Sequence, residues 1–303
     1  MPPALTTSPS TLAGTTQAGR DGTAPRLFHY GEFVAAELLA AKRAASARVH
    51  VVIPARDEEE TIAAIVAAVR RDLLEAVPLV DDLVVVDDAS GDRTAELAAR
   101  EGATVVAGPG LGKGEAMACG AASVEPSQSS IVVWLDGDVR DFGSGYVTGL
   151  LGPLFACPEV LLVKGRYRRP IGNQATGGGR VTELVAKPAL RLFFPELAAI
   201  DQPLAGETAV RGCLLHDLDL EGGYAVEVAL LVDAYRRYGL GALAEVDLGE
   251  RRHRNRSLAD LVPEADTVLR TVLGRAGVAA PGRRPAEPDG EIGGPALLGG
   301  SAG

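Results

Sequence analysis

Two carboxylates stand two residues apart at the end of a continuous apolar run. The run is Ile-Val-Val-Trp-Leu at 131–135, and Asp136 and Asp138 follow it, separated by Gly137. Residues two apart in an extended segment share a face, so both carboxylates can point into one cleft. Two close carboxylates repel each other unless a cation lies between them, and such oxygen ligands suit Mg²⁺ or Mn²⁺. Asp-Gly-Asp is also a common turn, but its place after a buried strand favours a metal that bridges a nucleotide diphosphate.

Two further acidic turns follow other apolar runs. One is Pro-Ala-Arg-Asp-Glu-Glu at 54–59, and the other is Asp-Asp-Ala-Ser-Gly-Asp at 87–92. Either turn alone could simply cap a helix, since acidic residues in a first turn interact favourably with the helix dipole. Both, however, end adjacent predicted strands, which is where open parallel sheets bind nucleotides. We therefore expect them to lie near the base and ribose of a nucleotide.

A glycine-rich segment at 108–115, Gly-Pro-Gly-Leu-Gly-Lys-Gly-Glu, resembles a phosphate loop only superficially. It lacks the upstream glycine and the Ser or Thr of a P-loop, and no register fits the dinucleotide-binding fingerprint. A dinucleotide cofactor is therefore not expected. The remaining interpretations are a solvated lysine, or a flexible loop whose Lys113 pairs with phosphate.

Positive charge is concentrated in two segments of an acidic chain. Residues 160–182 contain five basic residues and no acid, and 251–256 reads Arg-Arg-His-Arg-Asn-Arg. Solvated surface charge is the usual explanation of such clusters. Arg180, however, follows three glycines at the start of a predicted helix, where exposed N–H groups and the helix dipole favour an anion. Arg180 could then bind a phosphate or carboxylate through its planar guanidinium.

Composition and motif content exclude several classes of protein. The formal net charge of −10 disfavours nonspecific binding to nucleic acid. No apolar run approaches the ~18 residues of a membrane-spanning helix, and the N-terminus lacks the regions of a secretory signal. The three scattered cysteines fit neither a disulfide framework nor a zinc site, and no Ser-His-Asp or H-E-x-x-H pattern occurs. We expect a cytoplasmic protein with no nucleic-acid or membrane partner.

An alternation of strands and helices must position these residues. Strands that are apolar on both faces, separated by crossover helices, predict an α/β fold with a parallel sheet covered on both sides. The predicted strands are 49–53, 83–86, 103–106, 131–135, 160–164 and 242–248. The predicted helices are 59–75, 92–101, 113–124, 144–155, 181–193, 225–238 and 257–275.

Both ends of the chain are poor in large apolar side chains. We therefore predict disordered tails over 1–25 and 276–303, on either side of one domain over 26–275. Within that domain we predict a nucleotide-binding half over 28–140 and an acceptor-binding half over 141–275.

Several motifs together resemble those of the glucosyl-3-phosphoglycerate synthases. They are PARDEE, DDASGD, GKGEA, WLDGD, RRPIGNQATGGGRVTELVAKP, QPLAGE, GYAVEV and HRNR, of which TGGGRVTELVA and HRNR are the most specific. The resemblance covers about 49–275. It implies a retaining glycosyltransferase with the GT-A fold, a Rossmann-like nucleotide-sugar-binding fold with a mostly parallel central sheet flanked by helices. The mannosyl-3-phosphoglycerate synthases are similar.

The resemblance also implies roles for individual residues. The nucleotide-sugar site comprises Pro54, Ala55, Glu58, Ser90, Lys113, Asp136 and Gly137. Asp138 and His253 would ligate Mg²⁺ or Mn²⁺, and Asp138 and Glu227 would be catalytic, with Glu227 near the hydroxyls of the donor sugar. The phosphate of 3-phosphoglycerate would be held by Gly179, Arg180, Thr182 and Asn255.

The implied reaction is the transfer of glucose from a nucleotide sugar to the 2-hydroxyl of 3-phosphoglycerate, and UDP-glucose is the favoured donor. The resemblance also implies a homodimer. The motifs near the donor depart from the family pattern: Gly137 replaces a usual serine, and Asp87-Asp88-Ala89 stands where D-S-G is typical. Transfer of mannose from GDP-mannose therefore remains an alternative. A polyprenyl-phosphate glycosyltransferase and a non-catalytic nucleotide-sugar-binding protein are the others, and the first of these predicts membrane association.

Overall fold

The computed structural model describes residues 24–124, 126–168, 179–251 and 258–278. Nearly all of the two predicted tails lies outside these ranges. So do His253 and Asn255, which the sequence suggested for the metal and the acceptor. The tails and the division into two halves therefore stay predictions.

The described residues form a mixed α/β fold. The strands are β1 Arg26–His29, β2 Val49–Ala55, β3 Asp82–Asp87, β4 Thr104–Ala107, β5 Ile131–Trp134, β6 Leu162–Arg168, β7 Thr208–Arg211 and β8 Leu243–Glu250. The α-helices are α1 Ala35–Ala44, α2 Ile62–Val69, α3 Thr94–Arg100, α4 Lys113–Ser123, α5 Gly145–Ala156, α6 Lys187–Phe193, α7 Gly212–Asp217, α8 Val226–Tyr238 and α9 Leu258–Arg275. π-Helical turns at Arg70–Ala76 and Thr182–Ala186 complete the helices predicted at 59–75 and 181–193. Among these residues no helix is long and apolar enough to span a bilayer.

All eight strands belong to one sheet in the order β1-β8-β6-β7-β5-β2-β3-β4. Neighbouring strands are parallel except at β7, which is antiparallel to both β5 and β6. The prediction of a mostly parallel sheet is therefore confirmed. Because β7 lies between β5 and β6, it joins the β2–β5 side of the sheet to the β6–β8 side.

The sheet is buried on both faces, as its apolar strands predict. Along β2, Val51 and Ile53 enter one core with α2 and α5, whereas Val52 enters the other core with α4 and α8. Successive side chains of a strand point to opposite faces, so one strand contributes to two cores. Helices therefore cover both faces, and the carboxyl ends of the strands are left to form a site.

Four elements were not predicted from the sequence, namely β1, α1, β7 and the six-residue helix α7. β7 is only four residues long, and β1 and α1 precede the first apolar run of the predicted sheet. The segment after β1 is fixed by a close contact: Phe33 is buried, and a Cβ built on Gly152 of α5 would lie 2.2 Å from its ring. Such a docking site depends on a glycine far away in the sequence, so local periodicity does not reveal it.

The β2, β3 and β5 strands end at the same edge of the sheet. Ala55 is in register with Asp87, and Val52 is in register with Trp134. The three acidic turns recognised in the sequence therefore lie side by side. The second turn contains Ala89 at φ 61°, a left-handed backbone conformation that is unfavourable for a residue with a Cβ.

Replacing Ala89 with glycine should stabilise the protein. Glycine adopts positive φ without steric cost, so A89G should raise the free energy of unfolding by about 1 kcal/mol. The matched control is Ala64→Gly at an exposed position of α2, which should lower it by about 1 kcal/mol. Denaturant unfolding of both variants measures the two effects, and a loss of stability in A89G equal to that in A64G would contradict the assignment of strain.

Candidate active site

One cavity of about 350 Å³ opens beyond the carboxyl ends of β2 and β5. It brings together most of the residues that the sequence singled out. On the predicted nucleotide-sugar side the lining includes Pro54, Ala55, Glu58, Lys113, Asp136 and Gly137, and on the predicted acceptor side it includes Gly179, Arg180 and Thr182. The two predicted catalytic residues, Asp138 and Glu227, also line it.

Ser90 does not line this cavity, and it joins the first two acidic turns instead. The backbone N–H of Asp57 donates to Ser90 Oγ at 3.0 Å, and the N–H of Gly91 donates to Asp57 Oδ1 at 2.7 Å. In the same way, the N–H of Glu58 donates to Thr94 Oγ1 at 2.8 Å. These bonds fix the two turns against each other. A contact between Ser90 and the nucleotide stays a prediction.

Asp88 holds the glycine-rich segment that precedes α4. Its Oδ1 accepts a hydrogen bond from the N–H of Gly110 at 2.7 Å, and its Oδ2 accepts one from the N–H of Gly112 at 3.0 Å. The Asp88 side chain is buried, so both oxygens need such partners. The acidic turn after β3 thus sets the start of α4, whose first residue is Lys113.

Lys113 bridges two of the predicted site carboxylates. Its Nζ lies 2.6 Å from Asp136 Oδ1 and 2.6 Å from Glu227 Oε1. Burial tends to lower the pKa of Lys113, but the two carboxylates outweigh it and hold that pKa well above its ordinary value. Lys113 is therefore a permanent cation, and in this structure it binds protein carboxylates at the cavity wall. The sequence suggested a phosphate partner for it, which stays a prediction.

Arg251 binds carboxylates from two distant parts of the chain. Its Nη1 lies 2.8 Å from Asp136 Oδ2 and 2.7 Å from Glu207 Oε1, and its Nη2 lies 2.5 Å from Asp138 Oδ1. Nη1 also donates to the Tyr167 hydroxyl at 2.8 Å. The Arg251 side chain is only 3% exposed, so the charge of its guanidinium is balanced by these groups rather than by water.

The charged environment fixes the ionisation of the Asp136 cluster. Burial alone raises the pKa of Asp136, but Lys113 and Arg251 together hold it well below its usual range. Burial also favours the neutral form of Glu207 and raises its pKa, against the opposing effect of Arg251. Asp136 is therefore a carboxylate throughout the working pH range of an ordinary enzyme.

Sequence reasoning did not identify Arg251 and Glu207 as partners. Arg251 stood out only as the first member of a basic cluster, and Glu207 only as the last letter of QPLAGE. Forty-four residues separate them, and no periodicity links them. The available signal was a glutamate directly before a short apolar strand. Such a glutamate is expected to be buried, and a buried carboxylate requires a basic partner.

The predicted acceptor residues stand at the start of a helix. Gly179 adopts φ 76°, and its carbonyl accepts a hydrogen bond from the N–H of Glu183 at 2.9 Å. Arg180 and Thr182 follow it at the cavity wall. This arrangement agrees with the predicted anion site, although residues 169–178 of the basic segment lie outside the described ranges.

Comparison with known proteins places this site in a family. Residues 50–186 match the model of glycosyl transferase family 2. The glucosyl-3-phosphoglycerate synthase of Mycolicibacterium smegmatis is 42% identical over 259 residues, which cover 82% of this chain and 83% of that protein. The enzyme of the same name from Petrotoga mobilis is 37% identical over 269 residues, which cover 84% of this chain and 82% of that protein.

Solved structures of the Mycobacterium tuberculosis glucosyl-3-phosphoglycerate synthase share the fold. The complex with Mg²⁺ and UDP has a TM-score of 0.75 at 38% identity, covering 84% of this chain and 87% of that chain. A complex with Mn²⁺, UDP-glucose and phosphoglyceric acid has a TM-score of 0.73 at 40% identity, covering 82% and 86% respectively. The GT-A fold predicted from the motifs is thereby confirmed. Since the sequence identity extends over most of each chain and the whole sheet is shared, this protein belongs to the glucosyl-3-phosphoglycerate synthases, a group of glycosyltransferases in family 2.

Proposed function

We propose that this chain transfers glucose from UDP-glucose to the 2-hydroxyl of 3-phosphoglycerate, with retention of configuration. The observation that carries the proposal is the single cavity that joins Lys113, Asp136 and Glu227 to Gly179 and Arg180. The relative solved with UDP-glucose, Mn²⁺ and phosphoglyceric acid supports the same pair of substrates and a divalent metal. Homodimer formation and a cytoplasmic location are further parts of the proposal.

The charges of the cavity fit a divalent cation. Asp136, Asp138 and Glu227 line the cavity and Glu207 lies buried beside them, so the cluster contains four carboxylates. Among the described residues, Lys113 and Arg251 are the two cations in ion-pair contact with these carboxylates. The formal balance of four negative and two positive charges is −2, which one divalent ion neutralises. Asp138 is the most exposed of the four, at 38% of its side chain, so it is the oxygen donor that a metal can reach.

Asp138 would hold the metal with His253 and oxygens of the donor diphosphate. When bound, the metal neutralises charge on the leaving diphosphate as a Lewis acid. Among the described residues no group of three His, Cys, Asp or Glu is arranged as a complete metal site. A site with few protein ligands and several substrate oxygens is the usual arrangement for Mg²⁺.

Glu227 contributes by binding the sugar rather than by attacking it. Its Oε1 is held by Lys113 at 2.6 Å, and this ion pair lowers its nucleophilicity while it fixes the direction of the carboxylate. A carboxylate in that place accepts hydrogen bonds from sugar hydroxyls. The bond from the anomeric carbon to UDP then breaks as the 2-hydroxyl of the acceptor attacks from the same face, and the proton of that hydroxyl passes to a diphosphate oxygen.

A donor and acceptor panel tests the function. Purified protein is incubated with Mg²⁺ or Mn²⁺, with UDP-glucose or GDP-mannose as donor, and with 3-phosphoglycerate or a polyprenyl phosphate as acceptor. We expect UDP-glucose and 3-phosphoglycerate to give glucosyl-3-phosphoglycerate, which is detected by mass spectrometry. A mannosylated product, or a glycosylated lipid, would replace this proposal by one of the alternatives.

Removing the Asp138 carboxylate should abolish metal-dependent transfer. Asp138→Asn keeps the size of the side chain but removes the charge that a divalent ion requires, so kcat should fall about 100-fold or more. EDTA should stop the wild-type reaction, and added Mg²⁺ should restore it. Asp82→Asn is the matched control. Asp82 pairs with Arg48 at 2.9 Å and is the first residue of β3, at the end of that strand away from the cavity. Full activity of D138N, or of metal-stripped enzyme, would contradict the metal assignment.

Replacing Arg180 or Thr182 should weaken the binding of the acceptor and leave the binding of the donor nucleotide unchanged. A hydrogen bond to a charged group is worth roughly 1.5–3 kcal/mol and a neutral one roughly 0.5–1.5, so Arg180→Ala should raise the KM for 3-phosphoglycerate about 10- to 150-fold, and Thr182→Ala less. The affinity for UDP, measured by calorimetry, should stay unchanged in both variants. Arg191→Ala, an exposed arginine of the following α6, is the control. A variant that loses UDP and keeps its acceptor KM would assign this segment to the donor.

A further inference from the structure

Lys164 is a buried amine whose described hydrogen-bond partners are neutral groups. It lies in the middle of β6, and only 1% of it is exposed. Its Nζ donates to the Ala205 carbonyl oxygen at 2.6 Å and to Thr208 Oγ1 at 3.0 Å, and both partners are neutral. Within the described ranges no carboxylate lies at ion-pair distance from it. Burying an unpaired ammonium is costly, so this residue is poorly suited to a purely structural role.

Burial is the main influence on this amine. It lowers the pKa of Lys164 to about 8, against the opposing effect of the nearby carboxylates of Glu227, Glu207 and Asp136. A methionine of similar length would avoid this cost. What the lysine supplies, and an apolar residue would not, is a hydrogen bond to the loop that leads into β7 and a second one to Thr208, the first residue of that strand.

That loop, residues 202–207, forms one wall of the active site. Leu204 lines the cavity, and Glu207 binds Arg251. Between them, Gly206 packs so closely on the site that an added Cβ would lie 1.9 Å from Asp136 Oδ1 and 2.5 Å from Lys113 Nζ. The backbone of the loop therefore lies directly against the ion pair of the donor site.

Ala205 is one of the points at which the loop is held, another being Glu207, whose carbonyl accepts from the N–H of Gly165 at 2.8 Å. The Ala205 carbonyl accepts from Lys164 and also from Thr208 Oγ1, the latter at 3.2 Å, so three groups form a closed set of hydrogen bonds behind the loop. The neighbours of Ala205 on either side, Leu204 and Gly206, are the residues that meet the cavity and Asp136. A shift of Ala205 would therefore move Leu204 at the cavity wall and Gly206 against Asp136.

We propose that Lys164 is a positioning residue of the transfer reaction, which holds the Ala205 carbonyl and so sets the 204–207 segment against Asp136, Lys113 and Arg251. The inference rests on the proposed function, because that function defines the reaction that the segment serves. Lys164 does not line the cavity, so in this proposal it acts only through the loop. Small displacements of positioned groups are expensive in catalysis, up to about 100-fold for 1 Å.

Lys164→Met is the variant that tests this role. We expect kcat for glucose transfer to fall about 10- to 100-fold. The Kd for UDP should change less than about threefold, because the turns at 54–59 and 87–92, which are predicted to contact the nucleotide, are held by each other and not by Lys164. Thr208→Val, which also breaks the closed set of hydrogen bonds, should lower kcat in the same direction but less. Thr208→Ser restores the hydroxyl and should recover most of the loss.

Lys42→Met is the matched control for loss of a buried lysine. Lys42 is 7% exposed, donates to the Pro78 carbonyl oxygen at 3.3 Å and pairs with Asp81 at 2.7 Å, away from the cavity. This variant should lose thermal stability with kcat unchanged. Equal values of kcat in K164M, T208V and the wild type would overturn the proposal, as would a fall in K42M as large as that in K164M.

Crystal structures of the two lysine variants separate this inference from the proposed function. In K164M the 204–207 segment should move away from Asp136, and in K42M it should stay in place. This readout needs no activity, so it remains decisive if the wild type transfers a different sugar or uses a different acceptor. An unmoved segment in K164M would overturn the inference even if the wild type makes glucosyl-3-phosphoglycerate.

Discussion

The buried guanidinium of Arg251 joins charged and polar groups from the ends of three neighbouring strands, β5, β7 and β6. It binds Asp136 and Asp138 beyond β5, Glu207 before β7, and the hydroxyl of Tyr167 on β6. In an interior of low dielectric constant these attractions are strong, and so is the cost of leaving any member unpaired. This cation therefore balances the carboxylates that the strands on both sides of β7 bring to one cavity.

The antiparallel β7 strand explains why such a cation is needed. In the parallel part of the sheet, strand ends collect carboxylates at one edge, and their mutual repulsion has to be balanced there. β7 runs in the opposite direction, so the loop that leads into it reaches the same edge and brings Glu207 with it. The loop adds one more negative charge and also the backbone of Gly206. Arg251, Lys113 and Lys164 approach this loop from three different elements.

The acidic turns hold each other in place, a role that neither interpretation of their sequence predicted. The sequence allowed either helix caps or nucleotide contacts for 54–59 and 87–92. In the structure, Asp57 and Ser90 bind the two turns together, and Asp88 fixes the glycine-rich segment before α4. These bonds hold Lys113 at the cavity. Residues that recognise a ligand need such support, because an unsupported side chain loses binding energy to its own disorder.

The sequence by itself determined the α/β class and six of the eight strands, namely those predicted at 49–53, 83–86, 103–106, 131–135, 160–164 and 242–248. It also determined the carboxylates that follow three of these strands. These follow from local properties: apolar β-branched runs, helical periodicity and charges at strand ends. The specific segment TGGGRVTELVA also indicated the family, which the relatives confirm. Only the tertiary structure decided that β7 is antiparallel, that Phe33 docks on Gly152, that Arg251 binds Glu207, and that Lys164 holds Ala205. Each of these depends on residues far apart in the chain, and the free energy of burying a charge or filling a gap is decided by what surrounds it.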